Sequence, residues 1–263
     1  MGIMTAVKSQ YEHRSRDASS NVSLLVWGGV IVGAIAALVF FLFPQIDLKT
    51  SELFYRGDGV FVGKGGNLLL EGADATFAGV VRLALYSAFV VICIITVAGI
   101  VASAVLKRDV FGLGFLKWLF LGACLLIGPG FISNVVLKDH WGRARPVHVT
   151  EFGGKKAYSP ALVPSDQCRR NCSFIAGEAA MMYATFFAAA FLFPAIGRKL
   201  ILTGAVVGFL SGLIRVSQGA HFLSDVIFAG VAMALTVAAI HTIFRIFVRT
   251  EGPDGDPLIA RSP

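Results

Sequence analysis

Apolar residues in this chain run together instead of alternating with polar ones. From about Val22 to Phe43, Val80 to Leu106 and Phe115 to Leu137 the sequence carries almost no charge. Three later runs, centred on "FIAGEAAMMYATFFAAAFLF", "LILTGAVVGFLSGLIRVS" and "DVIFAGVAMALTVAAIHTIFRIFV", repeat the pattern. Each reaches about 18 residues, the length a helix needs to cross roughly 30 Å of hydrocarbon. One such run is readily a buried core helix, but six in one chain predict a membrane bundle. Their Gly and Ala content predicts close helix packing. The expected fold is all-α, a polytopic six-transmembrane-helix bundle forming one membrane-embedded domain over residues 1–263.

Composition strengthens this reading. The chain is 56% hydrophobic and 15% charged, with a mean hydropathy of +0.75, far from the mix of a soluble domain. The first run is too long for a signal peptide, follows a long polar lead, and "FFLFPQIDL" offers no small-residue cleavage site, so it is expected to stay. Residues 1–21 form a polar N-terminal segment, and "TEGPDGDPLIARSP" (250–263) reads as a flexible tail.

Lys and Arg set the orientation. Lys8, Arg14, Arg16, Lys107, Arg108, Arg198, Lys199, Arg245 and Arg249 fall on one side, taken as cytoplasmic together with both termini. The segment from Pro44 to Gly79, of mixed charge, then lies outside and is expected to follow the interface as short helices. The stretch from Lys138 to about Cys172 breaks the rule. It places Lys138, Arg143, Arg145, Lys155, Lys156, Arg169 and Arg170 on the outer, periplasmic side, so the net charge of +7 is only partly an orientation signal. Nothing in this pattern calls for a nucleic-acid partner. Cys168 and Cys172 share that outer stretch, where an oxidising compartment permits a disulfide. A zinc pair is the rival, but no nearby His or Cys completes a set of four ligands.

Three groups far apart in sequence map to this outer face. In "KDHWGRARP", Lys138 supplies a point charge, and Arg143 and Arg145 supply planar forks suited to phosphate oxygens. Lipid-adjacent snorkelling explains any one of these cations, though less well all three within nine residues. In "CSFIAGEA", the helix start near Ala176 and Gly177 offers free amides to an anion. Glu178 on its first turn is either helix-start electrostatics or a proton donor. In "RVSQGAHFLSD", His221 and Asp225 are four residues apart on one helical face, with Arg215 upstream. Asp225 is expected to accept from one ring nitrogen, leaving the other for substrate.

These residues resemble the motifs of the type-2 phosphatidic acid phosphatase superfamily, whose fold is shared with vanadium haloperoxidases. Lys138, six residues, then Arg145-Pro146 matches the first motif. Arg215, five residues, His221, three residues, Asp225 matches the third, with Ile214 in place of the usual Ser. The resemblance implies that His221 attacks phosphorus to give a phosphohistidine, that Asp225 orients it, and that Lys138, Arg145 and Arg215 hold the non-bridging oxygens without a metal or other cofactor. The second motif departs from the pattern: Ile175-Ala176-Gly177-Glu178 stands where the family usually has Pro-Ser-Gly-His. Glu178 replaces the acid imidazole, and Ala176 lacks the phosphate-binding hydroxyl.

Within the family, "GRARP", "CSF-x-x-GE" and "GAHFLSD" are most similar to bacterial inner-membrane enzymes that remove a phosphate from lipid A. The implied partner is thus a phospholipid or glycolipid. Undecaprenyl pyrophosphate and phosphatidylglycerol phosphate are competing substrates, and a non-catalytic binder of anionic lipid would use the same basic pocket. A transporter fits less well, because the ionisable residues gather at one face instead of mid-membrane.

Overall fold

The computed structural model describes residues 2–62 and 77–248. The expected tail at 250–263 and most of the second half of the first outer segment lie outside these residues. Helix α1 (Gly2–Leu42) leads into a short helix α2 (Gln45–Glu52) and a hairpin of β1 (Tyr55–Gly57) and β2 (Val60–Phe61). Then come α3 (Phe77–Leu106), α4 (Phe115–Leu125), a π-helical stretch (Leu126–Leu137), one further turn α5 (Lys138–His140), α6 (Gly177–Leu192), α7 (Gly197–Ser217) and α8 (Leu223–Val248).

Among the described residues, five helices are long and apolar enough to cross a membrane: Asp17–Leu42, Phe77–Leu106, Phe115–His140, Pro194–Ser217 and Leu223–Phe247. The remaining expected span, the fourth in chain order, is the 16-residue Gly177–Leu192, which at about 1.5 Å per residue is roughly 24 Å long. It is shorter than the five long helices, and it is the most enclosed. Eleven of its side-chain positions, from Gly177 to Leu192, are buried. Helices α4, α7 and α8 and the π-helical stretch pack around it, whereas α3 keeps only 17% of its apolar window buried and turns the rest outward. The chain is a multi-pass helical membrane protein.

The small residues explain the close packing. Gly204, Gly208 and Gly212 recur every fourth residue along one face of α7. A Cβ on Gly208 would lie 2.5 Å from the Tyr183 ring of α6, and one on Gly212 would lie 2.2 Å from Val226 of α8. Side chains here would force the helices apart. Thr96, Thr185 and Thr242 return their hydroxyls to carbonyls one turn back, so no polar group faces lipid unpaired at these positions. Pro129 lies in the π-helical stretch, where its missing N–H disrupts α-helical hydrogen bonding.

Over its described part, residues 44–62, the outer segment forms one of the expected short helices followed by a hairpin. Asp58 and Gly59 both adopt positive φ (48° and 74°), the turn that folds a strand back on itself. Phe61 then packs with Tyr55 and Phe152, ring centroids 5.4 Å from each. This roof covers the end of the bundle where α5, the start of α6, the end of α7 and the start of α8 converge.

Candidate active site

Gly142 divides the roles of the two arginines that follow it. It adopts φ +71°, and a Cβ there would lie 1.5 Å from the Ser165 carbonyl oxygen, so only glycine fits this turn. The chain beyond it is extended at Arg145 (φ −81°, ψ 155°), and the two arginines, two positions apart, differ in burial. Arg143 points into the protein and Arg145 points out.

Arg143 is fully buried. Its Nη1 donates to Asp225 Oδ1 (2.6 Å) and Ser224 Oγ (2.8 Å), Nη2 to Asp47 Oδ2 (2.8 Å), and Nε to the Ser159 carbonyl (2.9 Å). The Phe222 ring lies 4.3 Å beneath the guanidinium. The neighbouring carboxylates of Asp225 and Asp47 outweigh burial and hold its pKa above the usual value. The expectation that Arg143 binds substrate phosphate is therefore corrected: its donors are already engaged inside the protein. Asp47 and Ser224 complete this network, with Ser224 donating to Asp47 through both its backbone N–H (2.9 Å) and its hydroxyl (2.5 Å).

His221 sits directly above this network and is 3% exposed. Its Nδ1 is 2.6 Å from the Ser173 carbonyl and 3.8 Å from Asp225 Oδ2. The expected direct hydrogen bond from the ring to Asp225 is replaced by one to Ser173. Asp225 instead accepts from the Ser173 hydroxyl (2.5 Å) and the Phe222 N–H (2.8 Å), fixing the backbone that carries the accepting carbonyl. A carbonyl only accepts, so Nδ1 carries the proton and Nε2 keeps its lone pair. Burial, helped by the charges of Lys138 and Arg215, lowers the pKa of His221 to about 4 against the opposing pull of Asp225.

The remaining cations gather at the same end. Lys138 Nζ lies 2.5 Å from where a Cβ on Gly177 would be, so that glycine lets the ammonium settle over the start of α6. Arg145 donates from Nε (3.2 Å) and Nη2 (2.8 Å) to the Asn171 carbonyl, and from Nη2 to Asn171 Oδ1 (2.8 Å). Burial lowers its pKa. Arg215 bonds Gln218 through Nη1, and its buried Nε makes no hydrogen bond among the described residues.

Two expectations for the second motif change. Ala176 is fully buried and its N–H donates to the Asp225 carbonyl (3.1 Å), so neither its methyl nor its amide is available to phosphate. Glu178, expected as a proton donor, is an ion-pair partner: Oε1 accepts from Arg82 Nε at 2.9 Å and lies 3.5 Å from Arg215 Nε. Arg82 is absent from the sequence reading, although a lone cation inside an apolar run is a usable signal. Asn171, Ser173 and Asp47 are further additions. Cys168 and Cys172 form a disulfide, which removes the zinc alternative. The Asn171 it encloses receives a hydrogen bond from Arg145 and donates its N–H to Asp139 Oδ1 (3.0 Å). His140 points back to the Val135 carbonyl (2.9 Å), and His241 stacks on Phe191 in the helix core.

A helical membrane bundle with these motifs at one end defines a class, and the PAP2 superfamily profile matches residues 117–249; the chain belongs to that superfamily. The likeness extends to particular relatives. A lipid A 4′-phosphatase of Francisella tularensis subsp. novicida is 35% identical over 219 residues, 82% of this chain and 93% of the relative. Lipid A 4′-phosphatases of Rhizobium leguminosarum and Rhizobium etli are 32% and 31% identical over 206 residues, 77% of this chain and 88% and 80% of theirs. No solved structure matches the chain.

Proposed function

We propose that this protein is a lipid A phosphatase of the bacterial inner membrane, with both termini in the cytoplasm and its site open to the periplasm, and that it removes the 4′-phosphate. The observation that carries the reading is the neutral imidazole of His221 at the base of a group of cations, its Nδ1 proton held by the Ser173 carbonyl. In this reading Nε2 attacks phosphorus, the bond from phosphorus to the sugar oxygen breaks, and that oxygen takes a proton from water. Water then attacks the phosphohistidine and releases inorganic phosphate. Asp225, 3.8 Å from the ring, offsets positive charge as the imidazole becomes a phosphoimidazolium. Lys138, Arg145 and Arg215 hold the non-bridging oxygens, supported by the helix-start amides at Gly177.

Mass spectrometry of hexa-acylated bisphosphoryl lipid A, incubated in detergent with purified protein, tests this. The expected product lacks one phosphate, on the distal sugar, and is absent with His221→Ala. Loss from the proximal sugar instead reassigns the regiochemistry. Unchanged lipid A alongside turnover of undecaprenyl pyrophosphate or phosphatidylglycerol phosphate would replace the substrate, and tight lipid binding without turnover would make the protein a binder.

A further inference from the structure

Arg82 is the only charged residue in α3 and lies outside the segment that carries the family motifs. A guanidinium in the second turn of an apolar helix is costly at membrane depth unless it is paired. It is paired with the site itself: Arg82 Nε holds Glu178 Oε1 at 2.9 Å. Arg215 Nε approaches the same oxygen only to 3.5 Å and, among the described residues, is a buried donor without a hydrogen bond. One carboxylate oxygen thus stands between two guanidinium groups and is bound tightly by the one that is 44% exposed, loosely by the one that is 13% exposed. The charge of Arg82 also reaches Arg145.

We propose that Arg82 is a positioning residue for phosphate binding. By anchoring Glu178, it keeps that carboxylate from closing onto Arg215 and so leaves the Arg215 donor free for a phosphate oxygen. Glu178 in turn offsets the mutual repulsion of the two arginines, allowing both to stand beside Lys138 and Arg145. This rests on Arg215 being a phosphate ligand, as the reading above has it. Without Arg82, Glu178 has one guanidinium left to pair with, and the carboxylate competes directly with the incoming phosphate. The substitution therefore weakens phosphate binding through a residue that need not touch substrate.

The test is a double-mutant cycle on the purified full-length protein, read as KM and kcat for lipid A and as the inhibition constant of inorganic phosphate. Arg82→Ala is expected to raise KM and the phosphate inhibition constant about tenfold, with kcat changed less than about threefold, the size of one displaced charge-assisted bond. Arg82→Lys, which retains a cation for Glu178, recovers most of the loss. In a Glu178→Gln background, Arg82→Ala has almost no further effect, because the carboxylate it restrains is gone. An equal tenfold loss in both backgrounds would mean that Arg82 binds substrate itself and overturns the proposal, as would no loss in either. If the wild-type protein releases no phosphate from lipid A, the functional reading fails separately. The same cycle read as the affinity for inorganic phosphate by calorimetry then still decides whether Arg82 keeps Arg215 free.

Discussion

Two charged clusters lie one above the other at the end of the bundle, and they differ in what balances their charge. Below the imidazole, the single cation Arg143 is shared by two carboxylates, Asp47 and Asp225, and all three side chains are fully buried. Beside the imidazole, Arg82, Lys138, Arg145 and Arg215 surround one carboxylate, Glu178, and all five are partly exposed. The lower cluster holds both of its carboxylates with internal hydrogen-bond donors; the upper one is short of negative charge. Residues of the same kind thus brace the fold in one place and, in the proposed reaction, receive an anion in the other, and the arginines at 143 and 145, two positions apart, fall on opposite sides of that divide.

Substitution of those two arginines breaks the comparison most sharply. Arg143→Met leaves two buried carboxylates without their cation and is expected to cost about 3–5 kcal/mol of stability, read as a lowered melting temperature or loss of the monodisperse peak in detergent. Arg145→Met should leave melting almost unchanged but lower kcat/KM by about 10²–10³, as removal of a preorganised donor does. Equal stability of the two variants would erase the distinction. A smaller effect concerns protonation at the boundary between the clusters. With its pKa lowered by burial to about 4 from an ordinary 6.5, His221 is neutral in the folded protein from pH 8 down to about 5. The unfolded chain takes up this proton first, so the contribution of His221 to stability falls as pH drops from about 6.5 toward 4. NMR of ring-labelled protein should show the His221 resonances flat to pH 5 and moving near 4; a midpoint at or above 6.5 contradicts the buried neutral imidazole. The smallest expected change follows reduction of Cys168–Cys172. Freeing the turn that holds Asn171 loosens the three hydrogen bonds to Arg145, which should raise KM by about two- to fivefold with kcat retained. Unchanged KM once mass spectrometry confirms the free thiols would show that the turn holds its shape alone.

The spans were legible because lipid-exposed helices must be apolar throughout, and length then identifies each one. The fourth was less so: Gly177–Leu192 is only 16 residues long. Lys138, Arg145, Arg215 and His221 could be read from spacing, and the structure brings them to one end of the bundle. What spacing could not provide was the partner of each charge. Arg143 is committed to Asp47, 96 residues away, and Glu178 to Arg82, also 96 residues away. Both partners lie outside the motif-bearing half of the chain, and no local pattern links them. The hydrogen bond of His221 was misassigned for a related reason. The i,i+4 rule brings Asp225 close to the ring but cannot reveal a backbone carbonyl arriving from another segment.

In the proposed reaction His221 is the group that receives the phosphate. Rapid quenching of the protein with 4′-³²P-labelled lipid A, followed by peptide mapping, measures this. The predicted result is an acid-labile, base-stable label on His221, with neither label nor turnover in His221→Ala. Phosphate release that persists in His221→Ala, or a label mapping to another residue, would contradict it.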